Sequence, residues 1–326
     1  MKKIGFVTII FALFMMFVAC GSDSEKKTTA DKKISIIAAI YPQYDWLQNV
    51  LGKRADAVDL KLLVKGGMDL HSYKPSAQDI ATIAGADMVV YVGGESDKWI
   101  EDALAATPKS GRVEVKMMQA LGDRVKEEEV VEGMQADPAE PADAEDAEND
   151  EHVWLSLKNA EMLVKNLAEA LSKLDTAYSA EYHMNAALYI AKISGLDAQY
   201  RAMVESATHK VILVGDRFPF RYLVDDYNIN YYAAFVGCSA ESEASFETVA
   251  FLACKMDSLA LPAIFTIDGS NGKIARAILD ASKKSKETPV LTLNSMQSVT
   301  DEQVKAGVDY LSIMRENLEV LKKAIK

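Results

Sequence analysis

The sequence predicts an α/β protein with two lobes, each with a mostly parallel sheet flanked by helices, joined by one long rigid helix. Short apolar, β-rich runs alternate with amphipathic stretches in both halves of the chain, as in parallel sheets with helices on both faces. Between the halves, residues 177–207 form one helical pattern that contains no proline. The length of 326 residues, 49% of them hydrophobic, is enough for two domains.

The first half contains three predicted strands, each followed by a predicted helix. The strands lie in ISIIAAIYP, AVDLKLLVKGG and DMVVYVGG, and the helices in QYDWLQNVLG, AQDIATIAGA and DKWIEDAL. Ser76 is the predicted N-cap of the second helix, because serine caps helix N-termini well. Since ligands of such sheets bind outside the carboxyl ends of the strands, the loop after the second strand is a candidate binding site.

The second half repeats this alternation after two central helices. Leu157–Leu174 form the first central helix, and the long helix of residues 177–207 is the spine between the lobes. Predicted strands then lie in KVILVGD, INYYAAFVG, PAIFTIDGS and PVLTLNS. The predicted helices lie in FPFRYLVDDYN, SFETVAFLACKMDSLAL, NGKIARAILDASKKS and one closing stretch of residues 300–325.

The N-terminus carries an export signal. Two lysines precede the apolar run IGFVTIIFALFMMFVA, which has the length of a signal-peptide core. The run ends in FVAC, which resembles a bacterial lipobox with Cys20 as the lipidated residue; an uncleaved membrane anchor is the alternative. The predicted organisation is a signal peptide, a lipidated tether, an N-terminal lobe, a helical segment and a C-terminal lobe, over residues 1–19, 20–33, 34–156, 157–208 and 209–326.

The net charge of −12 is concentrated in one segment. Residues 127–151 contain many acids and no base, a composition that predicts a mobile acidic loop before His152. The loop is either a solvated linker or a weak collector of cations for a nearby site. The chain has no basic patch that would predict nucleic-acid binding.

Two cysteines remain beyond Cys20. Cys238 and Cys254 form a disulfide in one interpretation, because an exported protein can oxidise its thiols. Cys254 lies in an amphipathic helical pattern, so in the other interpretation it is a buried core thiol.

Two histidines are the candidate metal ligands. His71 lies in GGMDLHSYKPS after the second predicted strand, and His152 lies in DEHVWLSLKN after the acidic segment. Two neutral imidazoles with one or two oxygens suit zinc, whereas oxygen-rich sites favour manganese. Asp69 and Asp150 each precede a histidine by two residues, and they either orient the imidazole rings or cap the local backbone.

These motifs resemble those of the zinc- and manganese-binding lipoproteins of ABC importers, the cluster A-I solute-binding proteins. The resemblance covers nearly all of the mature chain and is most specific in MDLHSYKPS and DEHVWLSLKN. It implies two α/β lobes with one metal ion in the cleft between them. It also implies a monomeric, lipid-anchored receptor outside the cytoplasm that delivers zinc, or manganese next, to a membrane permease driven by an ATPase.

The resemblance assigns the first two ligand positions to His71 and His152. The third position, after the first strand of the second lobe, falls on Gly215, so the adjacent Asp216 is the replacement candidate. The fourth falls in LTLNSMQS, where Asn294 stands in place of an acid. The other candidates are Asp268, Glu241, Glu243 and, more remotely, Cys238.

Two other functions fit parts of the pattern. A metal-dependent hydrolase would need an open metal position and a base such as Asp216 or Glu241, but the chain contains neither an H-E-x-x-H nor a G-x-S-x-G motif. A surface adhesin with a vestigial metal site is the other alternative. The expected protein is therefore a metal receptor and not an enzyme.

Overall fold

A computed structural model describes residues 33–135, 148–239 and 243–325. From Lys33 onward the chain is one compact unit. The predicted signal peptide, most of the tether, the lipidation site Cys20 and the candidate ligand Glu241 lie outside the described residues.

The first sheet has four parallel strands in the order β2-β1-β3-β4. Its strands are β1 (Ile34–Ala38), β2 (Val58–Leu62), β3 (Met88–Tyr91) and β4 (Val113–Lys116). The helices of this half are α1 (Tyr41–Leu51), α2 (Ala77–Gly85), α3 (Lys98–Ala106) and α4 (Met117–Leu121). Ser76 caps α2 as predicted, because its hydroxyl accepts from the Asp79 N–H and the Asp79 carboxylate accepts from the Ser76 N–H.

Two central helices connect the sheets. They are α5 (Leu157–Leu174) and α6 (Ser179–Ser206), and α6 is 28 residues long. α6 packs against α5 and α1 and also against the last helix of the chain. Tyr200 of α6 donates a hydrogen bond to the Met314 carbonyl at 2.5 Å, so the long helix is fixed to elements of both halves.

The second sheet also has four parallel strands, in the order β6-β5-β7-β8. Its strands are β5 (Val211–Phe218), β6 (Asn230–Val236), β7 (Ile264–Ile267) and β8 (Val290–Leu293). The helices are α7 (Arg221–Asp226), α8 (Phe246–Leu259), α9 (Lys273–Ala281), α10 (Asp301–Lys305) and α11 (Tyr310–Leu321). The predicted fold class is confirmed.

Two details of the fold differ from the prediction. The strand β4 and the helix α4, which together span only residues 113–121, are absent from the predicted elements. The predicted closing helix is two helices, because Gly307 adopts a φ of 82° and Asp309 starts a new capped helix, α11. A positive φ suits glycine, and it ends the helical path of α10.

The flanks of the acidic segment make contacts that its composition does not predict. Glu129 pairs with Arg221 at 2.7 Å, Glu132 pairs with Lys255 at 2.9 Å, and Glu128 accepts a hydrogen bond from the Cys238 N–H at 3.0 Å. Arginine and lysine side chains of the second half therefore pair with acids that have no basic residue near them within the segment itself. Residues 136–147 lie outside the described residues.

The cysteine interpretations are also corrected. Cys238 and Cys254 are both free thiols, and Cys254 is exposed on α8 instead of buried in the core. Among the helices of the described ranges, none combines the length and apolar character that crossing a bilayer requires.

Candidate metal centre

His71 and His152 meet, although 81 positions separate them in the chain. Their Nε2 atoms are 3.0 Å apart, and their ring centroids are 5.1 Å apart. His71 lies in a short helical turn, Leu70–Ser72, in the loop that follows β2. His152 comes directly before a second short turn, Val153–Leu155, that leads into α5.

The other ring nitrogen of each histidine already has a partner. His152 Nδ1 lies 3.0 Å from the Asp150 carboxylate, and His71 Nδ1 lies 2.6 Å from the Ser96 hydroxyl. Both partners can accept a hydrogen bond from an Nδ1–H group. In that arrangement each Nε2 atom carries its lone pair, and both lone pairs point into the same space.

Asp69 and Asp150 differ in what they do. Asp150 accepts hydrogen bonds from both the backbone N–H and the ring of His152. Asp69 accepts from the backbone N–H of His71 but not from its ring. The same Asp69 oxygen accepts from Gln297 Nε2 at 3.4 Å, and the second oxygen pairs with Arg217 at 2.6 Å. Asp150 therefore combines the two roles that the sequence left open, whereas Asp69 caps the backbone and links the two halves of the protein.

Burial favours the neutral imidazole at His71. Its side chain is only 8% exposed, and burial together with the charge of His152 lowers its pKa to about 3. Burial opposes the charged form of His152 as well, but the neighbouring carboxylate of Asp150 raises the pKa of this fully buried ring. A neutral imidazole is the form that binds a metal ion.

A cysteine joins the two histidines. Ligand atoms of His71, His152 and Cys238 all lie within 4.8 Å of one another, a group that the described residues bring together from three distant segments. Cys238 follows the carboxyl end of β6 by two residues. From the sequence, Cys238 was only a remote candidate for a metal ligand, because the residues around it form no metal-binding motif.

A buried glutamine, Gln297, also contacts the ring of His152. Gln297 Nε2 is 3.1 Å from His152 Nε2, and the side chain is buried. Within the described part of the chain, Gln297 Oε1 has no hydrogen-bond partner. A rotation of the terminal amide by 180° would direct the carbonyl oxygen towards the histidine pair, and it would break the 3.4 Å hydrogen bond from Gln297 Nε2 to the Asp69 carboxylate. Sequence reasoning missed Gln297, although it lies three residues after the candidate Asn294.

The family model for ZnuA, described as the periplasmic component A of a zinc-uptake complex, matches residues 36–324. The chain belongs to this family. The zinc-binding lipoprotein AdcA of Streptococcus pneumoniae is 32% identical over 99% of this chain, which spans 61% of that protein's length. The high-affinity zinc uptake system protein ZnuA of Bacillus subtilis is 29% identical, with 99% and 98% of the two chains covered.

Solved structures agree with this assignment to the ZnuA family. The Zn(II)-bound ZnuA-like domain of Streptococcus pneumoniae AdcA matches this structure with a TM-score of 0.69. The two chains are 28% identical, and the match covers 90% of this chain and 99% of that domain.

Of the remaining candidate ligands, the described acids Asp216, Asp268 and Glu243 are not part of the group of His71, His152 and Cys238. Asp216 lines a cavity of about 350 Å³ beside His71, where its carboxylate accepts from the Ser270 hydroxyl and from the Arg217 N–H. Gly215 leaves no room for a ligand, because a Cβ atom there would lie 2.6 Å from the Cα of Ala275 in α9.

Asp268 and Asn294 are engaged by their own loops. The Asp268 carboxylate accepts from the hydroxyls of Ser295 and Ser298 at 2.7 and 2.6 Å, and it also lines the cavity beside His71. Asn294 Oδ1 accepts from the Met296 N–H at 2.8 Å. Glu243 is exposed. These side chains shape the loops around the centre.

Proposed function

We propose that this protein is a receptor outside the cytoplasm that captures zinc and presents it to an ABC import permease driven by a cytoplasmic ATPase. The observation that carries the proposal is the approach of two imidazole Nε2 atoms to 3.0 Å while both Nδ1 atoms face acceptors. Two lone pairs at this distance repel each other unless a metal ion or a proton lies between them, and a metal ion replaces that proton when it binds both nitrogens.

The spacing of these atoms fits a zinc ion. Zinc–nitrogen bonds of about 2.1 Å in a tetrahedral shell separate two ligand nitrogens by about 3.4 Å. The observed 3.0 Å therefore needs to open by only a few tenths of an ångström. Buried neutral imidazoles compensate an ion for its lost water, and the Asp150 carboxylate increases the basicity of His152.

Zinc is favoured over manganese as the cargo. At a given nitrogen and oxygen site, zinc binds more tightly than manganese in the general affinity order of divalent metals. Membership of the ZnuA family and the names of the curated zinc-binding relatives support the same choice. We assign no catalytic step to the centre.

The location follows from the N-terminus together with the relatives. The proposed lipid on Cys20 anchors the protein to the cell envelope, in agreement with the lipoprotein name of AdcA. The tether that follows lets a monomer capture the ion and dock on the permease without leaving the membrane. The permease and its ATPase are the proposed partners.

Calorimetric titration of the metal-free protein with zinc tests the proposal. We expect one zinc ion per chain, and we expect binding to be lost in His71→Ala and in His152→Ala. His183→Ala is the matched control, because that imidazole lies on α6 next to Ser172 and should not affect the titration. Zinc binding that is unchanged in both ligand variants would refute the receptor function.

A further inference from the structure

We infer that Cys238 is the third protein ligand of the centre, binds as a thiolate, and is the residue that selects zinc over manganese. The inference rests on the proposed function. It adds a third protein ligand, which the two histidines by themselves do not imply. Its basis is the convergence of three ligand atoms within 4.8 Å, together with the way the chain delivers the thiol to that point.

Gly237 brings Cys238 to the histidines. A Cβ atom at position 237 would lie 2.9 Å from His152 Cε1 and 3.0 Å from His152 Nδ1. Contacts this short are sterically excluded, so only glycine lets the chain pass directly against the ring. The Ser239 N–H then closes a turn onto the Val236 carbonyl at 3.4 Å, which places Cys238 at the apex of the turn.

Glu128 holds the turn from the other side. Its Oε1 atom accepts a hydrogen bond from the Cys238 N–H at 3.0 Å. The backbone of Glu128 lies beside the chain that leads to His152, because the Glu128 N–H donates to the Glu148 carbonyl and the Asp150 N–H donates to the Lys126 carbonyl, both at 2.8 Å. The turn that carries the thiol is thus held by the Glu128 carboxylate and by its own backbone hydrogen bond.

The distances suit a zinc–sulfur bond. Zinc–sulfur and zinc–nitrogen bonds of about 2.3 and 2.1 Å place sulfur and nitrogen about 3.6 Å apart in a tetrahedral shell. This separation lies within the observed span of 4.8 Å. As zinc binds, the S–H bond breaks, the proton passes to the solvent, and the sulfur electron pair forms the bond to the metal.

A thiolate changes which metal the site prefers. Thiolates are soft ligands that favour zinc, whereas manganese prefers carboxylate, carbonyl and water oxygens. The two acids that the sequence offered as ligands on the C-terminal side, Asp216 and Asp268, accept hydrogen bonds from serines. Two imidazoles and one thiolate therefore discriminate against manganese more strongly than two imidazoles and a carboxylate would.

Cobalt(II) substitution tests the thiolate directly in the unmodified chain. Tetrahedral cobalt bound to a thiolate gives an intense sulfur-to-metal charge-transfer band in the near ultraviolet. We expect this band in the wild-type protein and in Cys254→Ser, the matched control at the exposed cysteine of α8, and we expect its loss in Cys238→Ser. Zinc should also protect Cys238, but not Cys254, from alkylation by iodoacetamide.

Metal affinities test the selectivity. Loss of a partner outside the ligand shell costs about 10–100-fold in metal affinity, so loss of the thiolate should weaken zinc binding by at least about 100-fold. Cys238→Asp should lower the ratio of zinc to manganese affinity, because it replaces sulfur with oxygen.

The outcomes separate this inference from the proposed function. If wild-type protein binds zinc through His71 and His152 but shows no sulfur-to-cobalt band, or if Cys238→Ser binds zinc as the wild type does, the thiolate ligand is refuted and the receptor stands. An unchanged ratio of zinc to manganese affinity in Cys238→Asp refutes the selectivity. If wild-type protein binds no zinc, both proposals are refuted.

Discussion

Asp150 is the residue that most directly orients His152, a proposed zinc ligand. It is 2% exposed, and its Oδ1 atom accepts from both the N–H and the Nδ1 of His152. The hydrogen bond to Nδ1 fixes the tautomer and leaves the Nε2 lone pair directed at the centre. Such partners of ligand histidines orient the ring and increase its basicity.

Asp150→Asn should therefore lower zinc affinity by about 10–100-fold while one zinc ion still binds per chain. The amide keeps an oxygen near Nδ1 but loses the negative charge that stabilises the bound imidazole. Competition with a zinc chelator measures the affinity. Asp197→Asn is the control, since that buried carboxylate of α6 pairs with Tyr227 and Arg201 and not with a residue of the centre. Equal affinity in wild type and Asp150→Asn would contradict this role.

The sequence could predict the two histidines but not the residues that complete their surroundings. His71 and His152 lie in distinctive local motifs, and each follows an aspartate by two residues. Cys238 and Gln297 become neighbours of His152 only through the packing of loops after β6 and β8, which no local pattern encodes. The sterically required Gly237 is the one local sign of a close approach near Cys238.

At the scale of elements, the long helices were predicted well, whereas one short strand and the helix after it were missed. The bounds of α5 agree with the prediction, and the long helix is confirmed as α6. β4 has the sequence VEVK, which lacks the apolar run of other short strands such as MVVY in β3, and α4 is only five residues long. The break between α10 and α11 depends on the positive φ of Gly307. The residues on both sides have a helical pattern, so the sequence does not reveal this break.

The long helix α6 should be a main source of stability. Ile193 is fully buried on this helix, so Ile193→Ala should lower the free energy of unfolding by about 2–4 kcal/mol through lost burial and the cavity it leaves. Chemical denaturation followed by circular dichroism measures the change. Leu188→Ala, at a position of the same helix that is 61% exposed, should change it by less than about 0.5 kcal/mol. Similar losses in both variants would contradict a stabilising role that depends on burial.

At the scale of the whole molecule, the centre is assembled from both halves of the chain. His71 follows a strand of the first sheet, whereas Cys238 follows a strand of the second. The His152 segment is tied to the second half by the Trp154 indole, which donates to the Ser295 carbonyl at 2.9 Å, and by the Tyr222 hydroxyl, which donates to the Asp150 carbonyl at 2.8 Å. The proposed ligands therefore come together only when both halves of the chain are folded against each other.

The sequence predicted this architecture because alternation of strands and helices is repeated in each half. It did not predict that the flanks of the acidic segment would be fixed, because their partners Arg221 and Lys255 lie far along the chain. The composition of a segment gives its charge, but it does not show which bases elsewhere in the chain pair with its acids.

Anomalous diffraction at the zinc edge, on crystals of the zinc-loaded protein, tests the central claim most directly. We expect one strong peak about 2.1 Å from the Nε2 atoms of both His71 and His152. A zinc peak elsewhere in the molecule, with these two rings free of metal, would contradict the account.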